Sequence, residues 1–273
     1  MITGETVWIV GGGNMGRAML DRWLDTGLDP ACVTVIDPAL PMFREGVTVV
    51  AALQPGVVPP TILLLAVKPQ MLDAVAAVIA PGIGADTLLI SILAGVTIDA
   101  LRARFLLPDT IARAMPNLPV AIGAGVVALY GGQGAATAKI NLLMAPLGVV
   151  EWLDHEAQFD AVTALSGSGP AFVCRFIDAM AAGGVALGLS PEQAARMAAA
   201  TVGGTAALLD ASGESAEAMA KRVTSPGGTT QAGLAVLDAG GEFAARVAAT
   251  LDAAAMRSAE LAGVAANPRV EAL

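Results

Sequence analysis

Short apolar runs recur along the first half of the chain at residues 6–10 (T-V-W-I-V), 33–36, 47–50, 61–67 (T-I-L-L-L-A-V), 87–92, 110–115 and 122–130. Several are continuously hydrophobic rather than alternating, as expected of strands covered on both faces. Helical patterns separate them at 15–26 (closed by Gly27), 71–79 and 98–105. Short buried strands alternating with helices predict an α/β domain built on a parallel, doubly wound sheet.

Near Asp160 the pattern changes to one without strands. Helical stretches cover 170–187, 191–211, 215–223, 230–239 and 241–261. Ser190 precedes Pro191 and Glu192, and Ser215 precedes Glu217, which are helix-start signals. Gly183-Gly184, Gly203-Gly204 and alanine-rich faces permit close helix contact. The expected organisation is therefore a dinucleotide-type α/β domain over 1–159, an all-helical domain over 160–263 and a loose tail over 264–273. The apolar load of the helical part predicts a dimer interface.

Composition narrows the classes. Hydrophobic residues make up 55% of 273 residues and aromatics 4%, so helices meet through small side chains. The longest uncharged run, between Arg113 and Lys139, holds Pro116, Pro119 and five glycines, which excludes one spanning helix. No membrane partner is expected. A net charge of −9 argues against nucleic-acid binding, which needs a basic face. Cys32 and Cys174 lack metal-type spacing and suit a reducing, cytoplasmic setting. With a single histidine, His155, a His-based triad and a two-His metal site are excluded, and no metal is expected; His155 reads as part of a polar turn.

The first chemical motif is Gly11-Gly12-Gly13-Asn14-Met15-Gly16, after a strand and opening a helix. Gly11 permits the tight turn, Gly13 the approach of a pyrophosphate, and Gly16 close helix–sheet packing. The phosphates of a nicotinamide dinucleotide then face amides at a helix N-terminus. Asp37 closes the second strand, where a carboxylate accepts ribose hydroxyls and repels a 2′-phosphate. The domain is thus Rossmann-like, its cofactor NADH or NADPH, with Asp37 favouring NADH and Arg44 the nearby cation. Ala66-Val67-Lys68-Pro69 ends a buried strand, where the lysine suits either an anionic cofactor or solvent. Asn117, in M-P-N-L-P, suits either backbone or ligand. Ser168, in S-G-S-G-P-A-F, starts the first long helix, either as cap and hinge or at the cofactor.

Val223-Thr224-Ser225-Pro226-Gly227-Gly228-Thr229-Thr230 is the most unusual segment. It precedes a helix, so Gly228, Thr229 and Thr230 are expected to offer N–H groups and hydroxyls to a carboxylate on a small-molecule substrate.

In order along the chain, the glycine loop, A-V-K-P, M-P-N-x-P, S-G-S-G-P-A-F and V-T-S-P-G-G-T-T resemble the pyrroline-5-carboxylate reductase family. That resemblance implies reduction of 1-pyrroline-5-carboxylate to L-proline, the last step of proline biosynthesis, with hydride passing from the nicotinamide to the imine carbon. It assigns Thr230 to the ring nitrogen, the amides of Gly228, Thr229 and Thr230 to the substrate carboxylate, and Val223 and Ser225 to the pocket. It also implies dimers interlocked through the helical domain, assembling further into a ring of five, a decamer. A protonated cyclic imine is already a good hydride acceptor, which suits a site without histidine. Departures from the family pattern stand at Leu118 (usually Thr), Phe172 (usually Tyr) and Leu53 (often Asn, with Gln54 offset). Two alternatives stay open. One is a reductase of another small imine or carboxylate in the wider six-phosphogluconate-like group, whose lysine on the first long helix is missing from 170–187. The other is a non-catalytic dinucleotide sensor.

Overall fold

The computed structural model describes residues 4–54 and 56–266. Its N-terminal part is one eight-stranded sheet in the order β3-β2-β1-β4-β5-β6-β7-β8. The strands are β1 (Val7–Val10), β2 (Val33–Ile36), β3 (Thr48–Val50), β4 (Ile62–Leu65), β5 (Leu88–Ser91), β6 (Thr110–Pro116), β7 (Gly125–Gly131) and β8 (Gly148–Trp152). Helices α1 (Asn14–Asp25), α2 (Leu72–Ile79), α3 (Ile98–Arg102) and α4 (Ala135–Met144) connect them.

Alternate residues of each central strand feed different cores. Val7, Ile9, Ile62 and Leu64 pack with Trp23 of α1, whereas Trp8, Val10, Leu63 and Leu65 pack with Leu72 and Ile79 of α2. Burial on both faces explains the unbroken apolar runs. Trp23 also donates from Nε1 to the Leu143 carbonyl at 2.7 Å, tying α1 to α4.

The sheet is mixed, which corrects the expectation of a parallel one. β7 pairs antiparallel with β6, and β8 parallel with β7. Only a short 3₁₀ turn, Leu118–Ile122, joins β6 to β7, too little chain for a parallel crossover. Neither α4 nor β8 is foreseen by the sequence pattern. Strand β8 has just five residues, none of them buried.

After α5 (Phe159–Val162) the backbone widens into a π-helical turn at Thr163–Gly167. The helices beyond are α6 (Gly169–Ala186), α7 (Pro191–Ser212), α8 (Ala216–Arg222), α9 (Thr229–Leu237) and α10 (Glu242–Ala266). Ser190 caps α7 in a capping box with Gln193, and Ser215 caps α8, as their positions predict. By contact the chain divides into a first unit running to Ser168 and resuming at Ala254, and a second unit, Gly169–Ala253. The return of α10 to the first unit differs from the expected division at 159/160. It follows from Ser258, whose hydroxyl donates to Asp160 at 2.7 Å, and from Gly95, where a Cβ would lie 2.6 Å from the Ala262 Cα. Helix α10 also runs on to Ala266, past the expected end; residues 267–273 of the expected tail lie outside the described residues.

Candidate functional site

Strand order reverses between β1 and β4, and a crevice opens outside the carboxyl ends of strands at such a point. The glycine loop leaves β1 there, and Ala66, Val67 and Lys68 leave β4 beside it. The glycines answer to different constraints. Gly11 has φ +101°, and a Cβ on it would stand 2.6 Å from the Ala66 carbonyl oxygen. A Cβ on Gly16 would stand 2.7 Å from the Gly11 carbonyl oxygen and 3.2 Å from the Ala66 Cβ. Ala66 and Val67 thus serve the loop by packing on it. At Gly13 nothing lies within 4 Å of a Cβ position, so the protein itself does not require glycine there. A Cβ would instead fill the space before the amides of Asn14, Met15 and Gly16, which have no intrahelical acceptors in the first turn. That cradle fits a pyrophosphate.

Asp37 is braced. Its Oδ2 accepts from the Gly12 N–H at 2.7 Å and its Oδ1 from the Ala39 N–H at 2.9 Å. The segment after it folds back over the loop: a Cβ on Gly12 would meet the Pro41 Cγ at 2.6 Å and the Phe43 ring at 3.2 Å. Arg44 pairs with Asp25 at 2.7 Å, so the cation expected near a 2′-phosphate is engaged elsewhere. Arg17 of α1, which the motif alone does not single out, donates to the Met42 carbonyl and lies 4.8 Å from the Phe43 ring centroid. An Asp-Pro turn followed by apolar residues is the available signal for this returning segment. Lys68 is exposed, and Pro69 opens a 3₁₀ turn closed by the Met71 N–H donating to the Lys68 carbonyl at 2.9 Å.

Asn117 proves to be a backbone clamp. It is buried; its Nδ2 donates to the Ser166 carbonyl at 3.0 Å and its Oδ1 accepts from the Val126 N–H at 2.8 Å. The side chain ties the end of β6 to β7 and to the π turn. Ser168 follows that turn, its N–H donating to the Thr163 carbonyl at 2.8 Å. His155 is exposed and caps a 3₁₀ turn with Gln158, as its polar surroundings predict.

In the second unit, Val223 ends α8 and Gly228 caps α9 with extended backbone and no side-chain cap. Gly227 takes the left-handed φ of +71°. The expectation of three exposed amides is corrected by one, because the Gly228 N–H donates to the Ser225 carbonyl at 3.0 Å. That turn is tight: a Cβ on Gly228 would lie 3.1 Å from the Ser225 carbonyl oxygen and would displace the Ser225 hydroxyl. Thr229 and Thr230 remain as the first residues of α9, both exposed, with N–H groups lacking intrahelical acceptors. The turn thus leaves two exposed N–H groups, on residues that also carry hydroxyls.

The sheet topology and glycine cradle define a dinucleotide-binding protein of the oxidoreductase class. Residues 6–95 match the family described as NADP oxidoreductase, coenzyme F420-dependent, and residues 156–261 match pyrroline-5-carboxylate reductase dimerisation. The pyrroline-5-carboxylate reductase of Pseudomonas aeruginosa is 36% identical over 93% of this chain and 95% of its own; that of Pisum sativum is 34% identical over 94% and 96%. Among solved structures, a pyrroline-5-carboxylate reductase from Coxiella burnetii superposes with a TM-score of 0.87 at 31% identity, covering 94% of this chain and 98% of its own. The Plasmodium falciparum pyrroline carboxylate reductase with NADP bound shares the fold at TM-score 0.81 and 24% identity, covering 96% and 100%. The chain belongs to the pyrroline-5-carboxylate reductase family. Its cofactor is a nicotinamide dinucleotide, and its helical region is a self-association domain. Among the described residues no helix is long and apolar enough to cross a membrane.

Proposed function

We propose that the protein reduces 1-pyrroline-5-carboxylate to L-proline, with NADH as the preferred cofactor, in the cytoplasm. The observation that carries this reading is the α8–α9 turn, whose two successive threonines present amides and hydroxyls to a small anion, on a chain that also carries the dinucleotide cradle. The amides of Thr229 and Thr230 hold the substrate carboxylate, and the Gly228–Ser225 turn presents them. The Thr230 hydroxyl hydrogen-bonds the ring nitrogen and orients the imine carbon; Val223 and Ser225 border the pocket. Asn14, Met15 and Gly16 hold the pyrophosphate, with Gly11 and Gly13 shaping the cradle. Asp37 receives the adenosine ribose hydroxyls, while Ala66, Val67, Lys68, Pro69 and Ser168 border the rest of the cofactor and Asn117 braces the backbone at the end of β6. When bound, the reduced nicotinamide supplies the hydride. No strong general acid is required, because the imine is readily protonated.

Within the helical unit, Gly183, Gly203 and Gly204 have nothing within 4 Å of a Cβ position, whereas Gly184 meets Ala194. These open small-residue positions support dimerisation through the helices; assembly of the dimers into a decamer is the reading that the family resemblance adds. Initial rates on 1-pyrroline-5-carboxylate with NADH and NADPH side by side test the reading; no turnover with either cofactor sinks it. Thr230→Ala is expected to slow turnover by about tenfold to a thousandfold with cofactor affinity kept, as for one lost transition-state contact.

A further inference from the structure

The segment at 38–44 links β2 to β3 without a helix and lies across the glycine loop. It is pinned at several points. The Leu40 N–H donates to the Asp37 carbonyl at 3.0 Å, and Leu40 takes a φ of +47°, unfavourable for a leucine. Pro41 and Phe43 press on Gly12. Phe43 is also packed against the core that holds Trp23. The Arg17 guanidinium is anchored on this segment through the Met42 carbonyl and the Phe43 ring, with Asp21 at 3.7 Å from its Nε.

Arg17, Phe43, Gly12 and Asp37 therefore form a contiguous row beside the carboxylate expected to meet the adenosine ribose. A 2′-phosphate placed there meets a carboxylate, and the arginines of the two flanking segments are engaged: Arg44 by Asp25, Arg17 by the strap. A nearby arginine is the usual accommodation for a 2′-phosphate. We propose that the 38–44 strap is a specificity device: by holding Arg17 on Met42 and Phe43, it withholds the guanidinium of this row from a 2′-phosphate, and so restricts the site to a cofactor with a free ribose 2′-hydroxyl. This rests on the NADH reading above, and adds that Asp37 is only half of the discrimination. Removing its charge leaves the phosphate without a partner until the strap releases Arg17.

Isothermal titration with adenosine 5′-monophosphate and adenosine 2′,5′-bisphosphate tests this without turnover. The native protein binds the monophosphate more tightly, and Arg17→Ala leaves both affinities within about twofold. Asp37→Ser alone raises bisphosphate affinity only several-fold. Asp37→Ser with Phe43→Ala raises it by about a further tenfold to a hundredfold, as for a new charge-assisted contact, and adding Arg17→Ala removes that gain. Melting curves confirm that each variant is folded. Should Phe43→Ala melt too low, Phe43→Leu keeps an apolar contact with Gly12 and removes the ring from Arg17. Tighter native binding of the bisphosphate overturns the NADH reading and this one with it. Native preference for the monophosphate, with no gain in the double variant or with a gain that survives Arg17→Ala, overturns the strap's role alone.

Discussion

All four residues of β4 in the sheet unit have no exposed surface, whereas α6 in the helical unit has no buried residue along its whole length. Around α6, Phe176 and Phe243 sit 6.4 Å apart between ring centroids, yet remain 43% and 42% exposed. With Phe172, Val202, Val247 and Leu251 they line an open apolar groove. In the second unit only Ala194, Ala198 and Met219 are buried among the described residues. The difference is between a core that one chain completes and one that it does not. A sheet covered on both faces closes within the polypeptide, while small-residue helices leave contiguous apolar side chains open, as at an interaction surface. In a self-association domain, such faces are where a second copy is expected to complete the core.

The largest expected effect comes from attacking that face. Phe176→Glu should convert the assembly to monomers at micromolar protein, raising the dissociation constant by about a hundredfold or more, read by light scattering. The same charge at Leu106, 84% exposed on the sheet unit, should leave the assembly intact. If Phe176→Glu remains fully assembled, the incomplete core has another explanation.

Trp23→Ala tests the other half. Trp23 is fully buried, and its loss empties the core between α1 and the sheet and leaves the Leu143 carbonyl without its donor. The expected destabilisation is about 3–5 kcal/mol by chemical denaturation, independent of protein concentration, whereas unfolding of the helical part should depend on concentration. A concentration-dependent loss at Trp23 would erase the contrast between the units.

The smallest effect concerns Glu5. Burial raises its pKa, but hydrogen bonds from Lys139 and Thr61 and the Lys139 charge outweigh burial and hold it below its ordinary value of 4.5. A lowered folded-state pKa stabilises above the unfolded value and is lost as pH falls through the folded one. Glu5→Gln should therefore cost less than about 1 kcal/mol at pH 7, with the difference from the native protein vanishing in acid.

The fold was most legible where burial is two-sided. The runs at β1, β4 and β5 declare themselves because both faces are covered, whereas β8 alternates half-buried and exposed residues and sits at the sheet edge, so it carries no such mark. The reversal at β7 was within reach of the sequence, because the runs at 110–115 and 122–130 leave too short a link for a parallel crossover. At the candidate site, the tight turn at Gly11 and the close packing at Gly16 could be read from the motif. The engagement of Asn117 with Ser166 spans positions far apart in sequence, and so does the Arg17–Met42 contact; no local pattern reports either. The Gly228 amide was misassigned because turn closure by the Ser225 carbonyl depends on backbone angles that side-chain identity leaves open.

The glycine loop carries a consequence for how this sequence tolerates change. A Cβ on Gly11 or Gly16 would collide with backbone, while one on Gly13 would meet no protein atom. In a selection that rewards folding alone, alanine at Gly13 should pass unnoticed, and alanine at Gly11 or Gly16 should be eliminated. In a selection that rewards growth without supplied proline, all three should be equally intolerant. One motif thus bears two separable pressures, and the ratio of survivors at position 13 between the two selections measures how much of the motif exists for the ligand rather than for the protein.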